Sequence, residues 1–402
     1  MKKLLLIAIV PLLLDAKSYL MSSIPLPKTY ILNTDPYECD EDCMQAYLEK
    51  GMIFSFLAHA QNKLSDEKLD EMRTMNMSLL NVGSFMQTSN EKVRIALLLP
   101  YKKIGKYASS TTNAAFAYLL TKTQPFELKS YKVESENEED LKKTLSKIKD
   151  DGFTFVVAPL TQNGADNIAM INPDIYVYIP TVNKKDVKSN SSYIYYGGID
   201  YKEQTNKLLQ EAASPLVVFY DDSVISTKLA NYQEIAFKTQ GTGRTLKYSV
   251  PAKTTNLSMY LDKNYKIANS SFFINTPIIK TGMIMSQITL YDVVYKNILS
   301  TQINYDPLLL SMTQMNDRKN MIVANSITGN TNVLIDTNSI LSNDIIYDWI
   351  NYTTTVGIDY FFSRMTNEDR EYNLPVVENQ IIYQIELLRP SLSRFVPIDS
   401  HL

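Results

Sequence analysis

The sequence has little of the chemistry that most hydrolases use. Histidine occurs only twice among 402 residues, at His59 and His401, and neither position follows a strand of the predicted α/β region. There is no G-x-S-x-G elbow, no G-x-x-x-x-G-K-[ST] phosphate loop and no H-E-x-x-H zinc motif. We therefore predict that the protein is not an enzyme and has no catalytic residue, no cofactor and no metal.

The chain also lacks a large excess of charge of either sign. Its formal net charge is −3, and no cluster of lysine and arginine alternates with aromatic residues as in nucleic-acid-binding grooves. A DNA or RNA partner is therefore not expected. A length of 402 residues and a hydrophobic content of 45% are enough for two or three domains with buried cores.

No apolar run in the sequence is long enough to cross a bilayer. The chain begins with the cationic tripeptide MKK, and residues 4–14 form an apolar segment interrupted by Pro11. This pattern is typical of a secretory signal peptide at residues 1–16, with cleavage after Ala16. The alternative is an N-terminal anchor that stays uncleaved. We predict an exported, periplasmic protein with no stable membrane span after cleavage.

Cysteine is scarce, and its two copies lie close together. Cys39 and Cys43 occur in the sequence CDEDC. In an oxidising compartment an isolated pair at this spacing is expected to form a disulfide across the first turn of a helix. The alternative is half of a metal site, which would need further ligands from the two histidines. We predict the disulfide.

Residues 17–90 are predicted to form a small helical lead-in, too short for much stability by itself. A strand at 29–32 precedes helices at 40–49 and 52–60, and Ser65 offers an N-cap for a third helix. The third helix carries an apolar stripe at helical spacing, formed by Leu69, Met72, Met75 and Leu79.

Strands and helices alternate from Lys92 onward, which is the pattern of parallel sheets with helices on both faces. The clearest strand, residues 93–99, is a nearly continuous apolar run that ends at Pro100. A helix of small residues follows at 108–120. Further strands are predicted at 126–133, 153–158, 175–179, 216–220, 245–250, 272–275, 321–324, 380–388 and 395–398.

Two α/β halves of similar size predict two lobes with a cleft between them. We place the first lobe at residues 91–213 and the second at 214–402, with the C-terminal strands returning to the hinge. The longest predicted helix runs over 343–365, and Ser342 is its expected N-cap.

Candidate ligand-binding residues lie where the predicted strands end, since open α/β sheets bind ligands at that edge. They are Lys102, Lys103, Lys106, Tyr107, Thr161, Thr181, Asp221 and Asp222. The lysines would suit an anionic ligand or an acidic partner surface. The alternatives are a solvated lysine loop and an aspartate pair that only caps the next helix.

Three stretches resemble the type I periplasmic-binding-protein superfamily in order and spacing. They are IALLLPYKKIGKYASSTTNAAFAYLL at 95–120, DDGFTFVVAPLTQNG at 150–164 and VVFYDDS at 217–223. A fourth, TTVGIDYFFSRM at 354–365, resembles the Gly-[Ile/Tyr]-Asp-Ala-[Tyr/Phe] segment of the bacterial penicillin-binding-protein activator branch, with Tyr360 in place of the alanine. The resemblance covers about residues 92–398 and implies two Rossmann-like lobes with parallel sheets.

The chain departs from related patterns at two loops. Amino-acid receptors of this superfamily often carry Ser-Gly where this sequence has 101–103, Tyr-Lys-Lys, and Tyr-Gly where it has 223–225, Ser-Val-Ile. These differences argue against a conventional amino-acid pocket. The activator branch usually carries a larger helical domain and a lipid-anchored cysteine, so its anchoring to the outer membrane is not carried over.

Two functional hypotheses follow from the resemblance. The first is an accessory protein or regulator of another envelope protein, such as a peptidoglycan synthase, acting by contact. The alternative is a solute-binding receptor that closes its lobes on a small polar or anionic ligand. Thermal melts against a ligand panel would separate the two, because only a receptor gains stability from a small molecule.

Overall fold

The computed structural model describes residues 31, 33, 35, 37, 39–80, 82, 92–189, 191–241 and 243–398. The chain divides into two compact units, Met1–Asn90 and Glu91–Leu402. The predicted signal peptide, its cleavage site and all but one residue of the predicted strand at 29–32 lie outside the described residues.

The first unit consists of helices α1 (Glu41–Glu49), α2 (Ile53–His59) and α3 (Glu67–Leu79). Asp40 caps α1 by accepting a hydrogen bond from the backbone N–H of Cys43 at 3.0 Å. The Cys39–Cys43 disulfide spans this first turn, with the two Cα atoms 5.4 Å apart. Helix α3 is capped by Asp66, one residue later than predicted, through the N–H of Leu69 at 2.9 Å.

The apolar stripe of α3 is buried only at its first position. Leu69 packs into the small core of the first unit. Met72, Met75 and Leu79 remain 39%, 48% and 62% exposed. This face of α3 therefore lacks an apolar partner among the described residues, although its spacing alone predicts a core-facing side.

The second unit contains two seven-stranded sheets. Its strands are β1 (Val93–Leu99), β2 (Phe126–Lys132), β3 (Phe155–Val157), β4 (Tyr176–Ile179), β5 (Ile194–Tyr196), β6 (Leu216–Tyr220), β7 (Thr245–Ser249), β8 (Ser270–Asn275), β9 (Tyr295–Ser300), β10 (Met321–Asn325), β11 (Val376–Val377), β12 (Gln380–Ile381), β13 (Glu386–Pro390) and β14 (Phe395–Pro397). Its helices are α4 (Tyr101–Ile104), α5 (Tyr107–Leu120), α6 (Glu138–Asp150), α7 (Gln162–Ile171), α8 (Tyr201–Leu209), α9 (Val224–Thr239), α10 (Ser258–Leu261), α11 (Ile278–Leu290), α12 (Pro307–Met312), α13 (Met315–Arg318), α14 (Asn332–Ile340) and α15 (Trp349–Thr366).

The strand order is β11-β12-β5-β4-β3-β1-β2 in the first sheet and β14-β13-β10-β9-β8-β6-β7 in the second. Pairing is parallel except for β11 with β12, β10 with β13 and β13 with β14. Strand β1 shows why both faces are covered: Ile95 and Leu97 belong to one core, and Ala96 and Leu98 to the core on the opposite face. The predicted α/β class with two Rossmann-like lobes is confirmed.

The chain crosses between the lobes three times, after β5, after β10 and between β12 and β13. Residues Ile327 and Ile381 both pack in a core of the first sheet, together with α14 and α15. The structure therefore differs from the predicted boundary, which assigned all of 214–402 to the second lobe. Periodicity predicts a strand or helix but carries no signal for which sheet it joins.

Two predicted elements of the C-terminal region have different bounds. Helix α15 begins at Trp349, because Asp348 is its N-cap and accepts from the N–H of Asn351 at 3.1 Å. The predicted cap Ser342 has a positive φ of 55° instead. The predicted strand at 380–388 is split, with β12 in the first sheet and β13 in the second.

Among the described residues, we find no helix with both the length and the apolar content that a bilayer span requires.

Candidate functional site

A cavity of about 520 Å³ lies between the two lobes, and we call it the first cavity. It sits at the carboxyl ends of the strands, where open α/β sheets bind ligands. Thr161 and Thr181 come from loops of the first lobe, and Ser223 comes from the turn before α9 in the second. Half of its lining residues are apolar or aromatic: Leu160, Val182, Ile199, Tyr201, Val224, Ile225, Leu229, Tyr232, Trp349 and Ile350.

An ion pair bridges the two walls of the first cavity. Lys228 on α9 places Nζ 2.7 Å from Oδ1 of Asp186, which belongs to the first lobe. Gln162 holds the same segment by donating from Nε2 to the carbonyl oxygen of Asp186 at 2.7 Å. Lys185 pairs with Asp200 nearby. Because Lys228 and Asp186 come from different lobes, their contact favours the closed arrangement of the cleft.

A second cavity of about 520 Å³ adjoins the first, and Thr181, Tyr201, Trp349 and Ile350 line both. We call it the second cavity. The rest of its lining is aromatic, acidic or amide-bearing apart from two apolar residues: Tyr107, Gln302, Ile303, Tyr305, Asp306, Pro307, Asp344, Tyr347 and Asp348. The cleft therefore has two connected compartments with different chemistry.

The structure brings three of the predicted site residues to these cavities. Thr161 lines the first cavity, although its hydroxyl donates to Glu136 and accepts from the N–H of Gly164 at the start of α7. Thr181 lines both cavities, and its hydroxyl donates to the carbonyl oxygen of Leu160. Tyr107 lines the second cavity.

The predicted lysines line neither cavity. Lys102 pairs with Glu134 at 2.6 Å on the surface, and Lys103 is exposed. Lys106 precedes α5, with Nζ 5.6 Å from the ring centre of Tyr107. The three lysines that suggested an anionic ligand thus lie outside the cavity linings, although the adjoining Tyr107 lines the second cavity.

The predicted aspartates also lie outside both linings. Asp221 accepts from the backbone N–H of Ser223 at 3.0 Å and from its hydroxyl at 2.6 Å. Ser223 in turn caps α9. Asp222 is exposed. Neither aspartate is the N-cap of α9, so the alternative in which the pair caps this helix is not met; Asp221 instead organises the turn that holds the capping Ser223.

Sequence reasoning missed several lining residues, and Trp349 is the clearest of them. It is the only tryptophan of the chain and lines both cavities. Its ring packs edge-on against Tyr383 at 4.7 Å. The signal that could have found it was the N-cap at Asp348, which places the first turn of α15 at the cleft rather than in the middle of a longer helix.

Helix α15 contacts two of the segments that cross between the lobes, the one after β5 and the one after β12. Thr353 is fully buried, and its hydroxyl donates to the carbonyl oxygen of Gly197 at 2.9 Å. The Oγ1 atom of Thr353 also lies 2.8 Å from the hydroxyl oxygen of Tyr383. Tyr178 donates its hydroxyl proton to the carbonyl oxygen of Thr353 at 2.8 Å. Gly197 follows β5 and Tyr383 follows β12, so this one side chain contacts both crossings.

The 354–365 segment that resembles the activator branch has a packing role in this chain. Gly357 faces Tyr178 so closely that a Cβ atom would lie 2.0 Å from Cε1 of the ring. Asp359 is fully buried and accepts from the hydroxyl of Tyr118 at 2.8 Å. Burial and the neighbouring Asp359 carboxylate raise the pKa of Tyr118 well above its ordinary value.

Asp359 also fixes the turn after α15. It accepts from the backbone N–H groups of Glu371 at 2.9 Å and Tyr372 at 3.2 Å. Its Oδ2 lies 3.6 Å from Nε of Arg370, which is itself mostly buried. The Gly-Ile-Asp triplet thus holds α15 on the first sheet.

No group of histidine, cysteine, aspartate and glutamate in the described residues is arranged to hold a metal ion.

Sequence and structure comparisons give different results for this chain. No protein-family model and no curated protein matches the sequence. A Rhodospirillum rubrum protein described as a branched-chain amino acid ABC transporter superposes with a TM-score of 0.61 at 8% identity, over 77% of this chain and 100% of its own. The leucine-binding protein LivK of Thermotoga maritima gives 0.54 at 14% identity, over 76% and 97%.

LpoA of Haemophilus influenzae gives a TM-score of 0.54 at 10% identity, over 89% of this chain and 67% of its own. At such identities the comparisons establish the fold alone. The two lobes, the parallel sheets and the cleft between them show that this chain has the type I periplasmic-binding-protein fold.

Proposed function

We propose that this protein is an exported, non-catalytic binding protein that closes its two lobes on a small molecule. The observation that carries the proposal is the first cavity, about 520 Å³ in volume and walled by both lobes. Its size and mostly apolar lining with a few polar groups match those of small-molecule sites. The N-terminal sequence, the Cys39–Cys43 disulfide and the fold support a periplasmic location.

The lining supports an organic ligand with an apolar part. The predicted anionic ligand depended on Lys102, Lys103 and Lys106, which lie outside both cavities. The lysines that do line the first cavity are engaged with other side chains. Lys185 and Lys228 pair with aspartates, and Lys202 lies 5.7 Å from the ring centre of Tyr232.

We expect ligand to stabilise the protein and to change its tryptophan fluorescence. Thermal melts against amino acids, amines, aromatic acids and cell-wall fragments should find a compound that adds about 2.7 kcal/mol at a hundredfold excess over its Kd. The same compound should alter the emission of Trp349, since this lone tryptophan borders both cavities. A Trp349→Phe variant, which has no tryptophan, gives the background emission, and free indole controls for non-specific quenching. A panel in which no compound shifts the melt would contradict the proposal.

Removing the bridge across the cleft should affect affinity more than stability. For Lys228→Met we expect the free energy of unfolding to change by less than about 1 kcal/mol, because the ion pair is solvent-exposed. Ligand affinity should fall, because the pair favours closed lobes. The matched control is Lys238→Met, since Lys238 lies on the same helix and pairs with Glu234 within its own lobe. Equal affinity in both variants would count against closure.

A second candidate function is the accessory role, in which the protein contacts another envelope protein such as a peptidoglycan synthase. It is supported by the match to LpoA, a penicillin-binding-protein activator, which covers more of this chain than residues 91–402 contain. It is also supported by the exposed α3 stripe at Met72, Met75 and Leu79.

The accessory role has its own test. Cross-linking in envelope extract should capture a partner with the wild-type chain, and a Met75→Glu variant should lose it. Thr74→Glu, at an exposed position of the same helix about 100° around the axis from Met75, is the control for added negative charge. Loss of the partner with both variants, or with neither, would contradict docking through the stripe.

A further inference from the structure

We infer that the second cavity binds an organic cation, with an amine or quaternary ammonium group held among its tyrosines and aspartates. The inference rests on the proposed function, because it names the ligand class of the same cleft. Aromatic faces attract cations through their quadrupole, and carboxylates supply the opposite charge. No lysine or arginine belongs to the lining.

The three carboxylates of the second cavity already have structural partners for one oxygen each. Oδ1 of Asp306 accepts from the N–H of Leu308 at 2.8 Å, and Oδ1 of Asp348 accepts from Asn351 at 3.1 Å. Oδ1 of Asp344 accepts from two successive backbone N–H groups, of residues 346 and 347. These hydrogen bonds fix the side chains in place. Lys106, beside Tyr107, acts on Asp348 through its charge but is not part of the lining.

The burial and negative charge of the second cavity shift the pKa values of two of its side chains. Burial raises the pKa of Asp348 above its ordinary value, and Asp344 adds to this effect, while two backbone hydrogen bonds and the charge of Lys106 oppose it. Burial, again with Asp344, raises the pKa of Tyr347. A bound cation would favour the ionised form of both groups, which a neutral or anionic ligand would not.

The second cavity also has aromatic rings that could contact a cation. Tyr305 and Tyr347 lie with ring centres 5.0 Å apart, and Trp349 is held by Tyr383. Tyr107 contributes from the first lobe. The lining therefore combines rings from both sides of the cleft with fixed carboxylates.

The first cavity differs from the second in the charge and polarity of its lining, and this difference suggests how one ligand would be oriented in the cleft. It is lined by Lys185, Lys202 and Lys228 as well as two aspartates, and most of its wall is apolar. A ligand that spans both compartments would place its cationic group in the second cavity and its apolar body in the first. Trp349 would lie between the two parts, since it lines both.

Quenching of Trp349 tests the charge of the cavity without knowledge of the ligand. Caesium ions should quench its fluorescence more effectively, relative to iodide, than they quench free indole. In Asp344→Asn and Asp348→Asn this ratio should fall at least about twofold, because each change removes one charge beside the ring. Asparagine caps helices as well as aspartate does, so both variants are expected to fold.

The control for net charge is Asp262→Asn, an exposed position outside both linings. Its caesium-to-iodide ratio should match that of the wild type. An unchanged ratio in the two cavity variants, or an equal fall in the control, would overturn the inference.

A second readout uses choline, putrescine, benzoate and the neutral isostere of choline that carries a tert-butyl group in place of trimethylammonium. At least one of the two cations should raise Tm, the neutral isostere should not, and Asp348→Asn should weaken the cation tenfold or more. If the isostere or benzoate stabilises the protein and the cations do not, the cation inference fails and the binding function stands. If no compound of any charge binds, both fail.

Asp348→Asn should also raise Tm at pH 7. A carboxyl whose pKa is raised in the folded protein destabilises the fold when ionised, so the neutral amide is favoured at that pH. The gain should disappear as the pH falls and the wild-type carboxyl becomes protonated. A loss of stability at pH 7 would contradict the raised pKa of Asp348 and remove that part of the electrostatic support for the site.

Discussion

Replacing Asp359 with alanine is expected to destabilise the protein by about 3–5 kcal/mol, the range for removing one partner of a buried ion pair. The carboxylate is fully buried and accepts three hydrogen bonds, from Tyr118, Glu371 and Tyr372. Its loss leaves these donors without their acceptor and leaves the mostly buried guanidinium of Arg370 without its counter-charge. Urea unfolding, followed by circular dichroism, measures the change.

Two further variants separate the contributions at Asp359. Tyr118→Phe removes a single hydrogen bond and should cost less, about 1–3 kcal/mol. Asp359→Asn keeps the volume but loses the charge, so its cost should lie between the other two. Asp262→Ala on the surface is the control. A change below 1 kcal/mol for Asp359→Ala would show that water replaces the lost contacts and that the turn after α15 does not depend on the carboxylate.

Gly357→Val is expected to cost more than about 3 kcal/mol or to prevent folding. The first added carbon would lie 2.0 Å from Cε1 of Tyr178, and that ring is fully buried against the helix. Overpacking of a filled core forces the helix away from the sheet. Thermal unfolding of the purified variant, or its yield in the soluble fraction, gives the readout.

The cause of that loss can be checked by removing the obstructing ring. A double variant with Tyr178→Ala should recover part of the stability lost in Gly357→Val, although Tyr178→Ala alone is destabilising. For a matched comparison, Gly357→Ala, which adds only the clashing carbon, is paired with Gly282→Ala on α11, where the nearest atom is the flexible Cε of Met312 at 3.3 Å. We expect Gly282→Ala to be neutral or slightly stabilising. Equal losses at both glycines would mean that helix propensity, not the ring, sets the cost.

The α/β alternation was predictable because most strands are apolar runs between turn residues. Strand β1 is the clearest case, since six of its seven residues are buried. Strand β9 was missed for the opposite reason. Its buried side chains include Asn297 and Ser300, which are satisfied by hydrogen bonds to Glu211 and Ile274 rather than by apolar packing. A pattern of apolar residues cannot signal a strand of that kind.

The candidate site was predicted less completely than the fold. Thr161, Thr181 and Tyr107 lie at the cavities because the ends of parallel strands meet at one edge of a sheet. Lys102 and Lys103 follow β1 as closely but do not line the cavities, since distance along the chain does not determine where a loop folds. Trp349 lines the cavities because α15 begins at this residue, and that start depends on the single N-cap Asp348. The apolar spacing of 343–365 does not indicate where within this range the helix begins.

The three crossings between the lobes have a consequence for how this protein is made. Strands β11 and β12 complete the first sheet and β13 and β14 complete the second, so the first lobe lacks part of its sheet until residue 381 has been synthesised, and the second until residue 397. No single cut yields an intact half, and a truncation before Val376 would expose an edge in both sheets at once. Both sheets of the second unit can therefore be completed only when nearly the whole polypeptide has been synthesised.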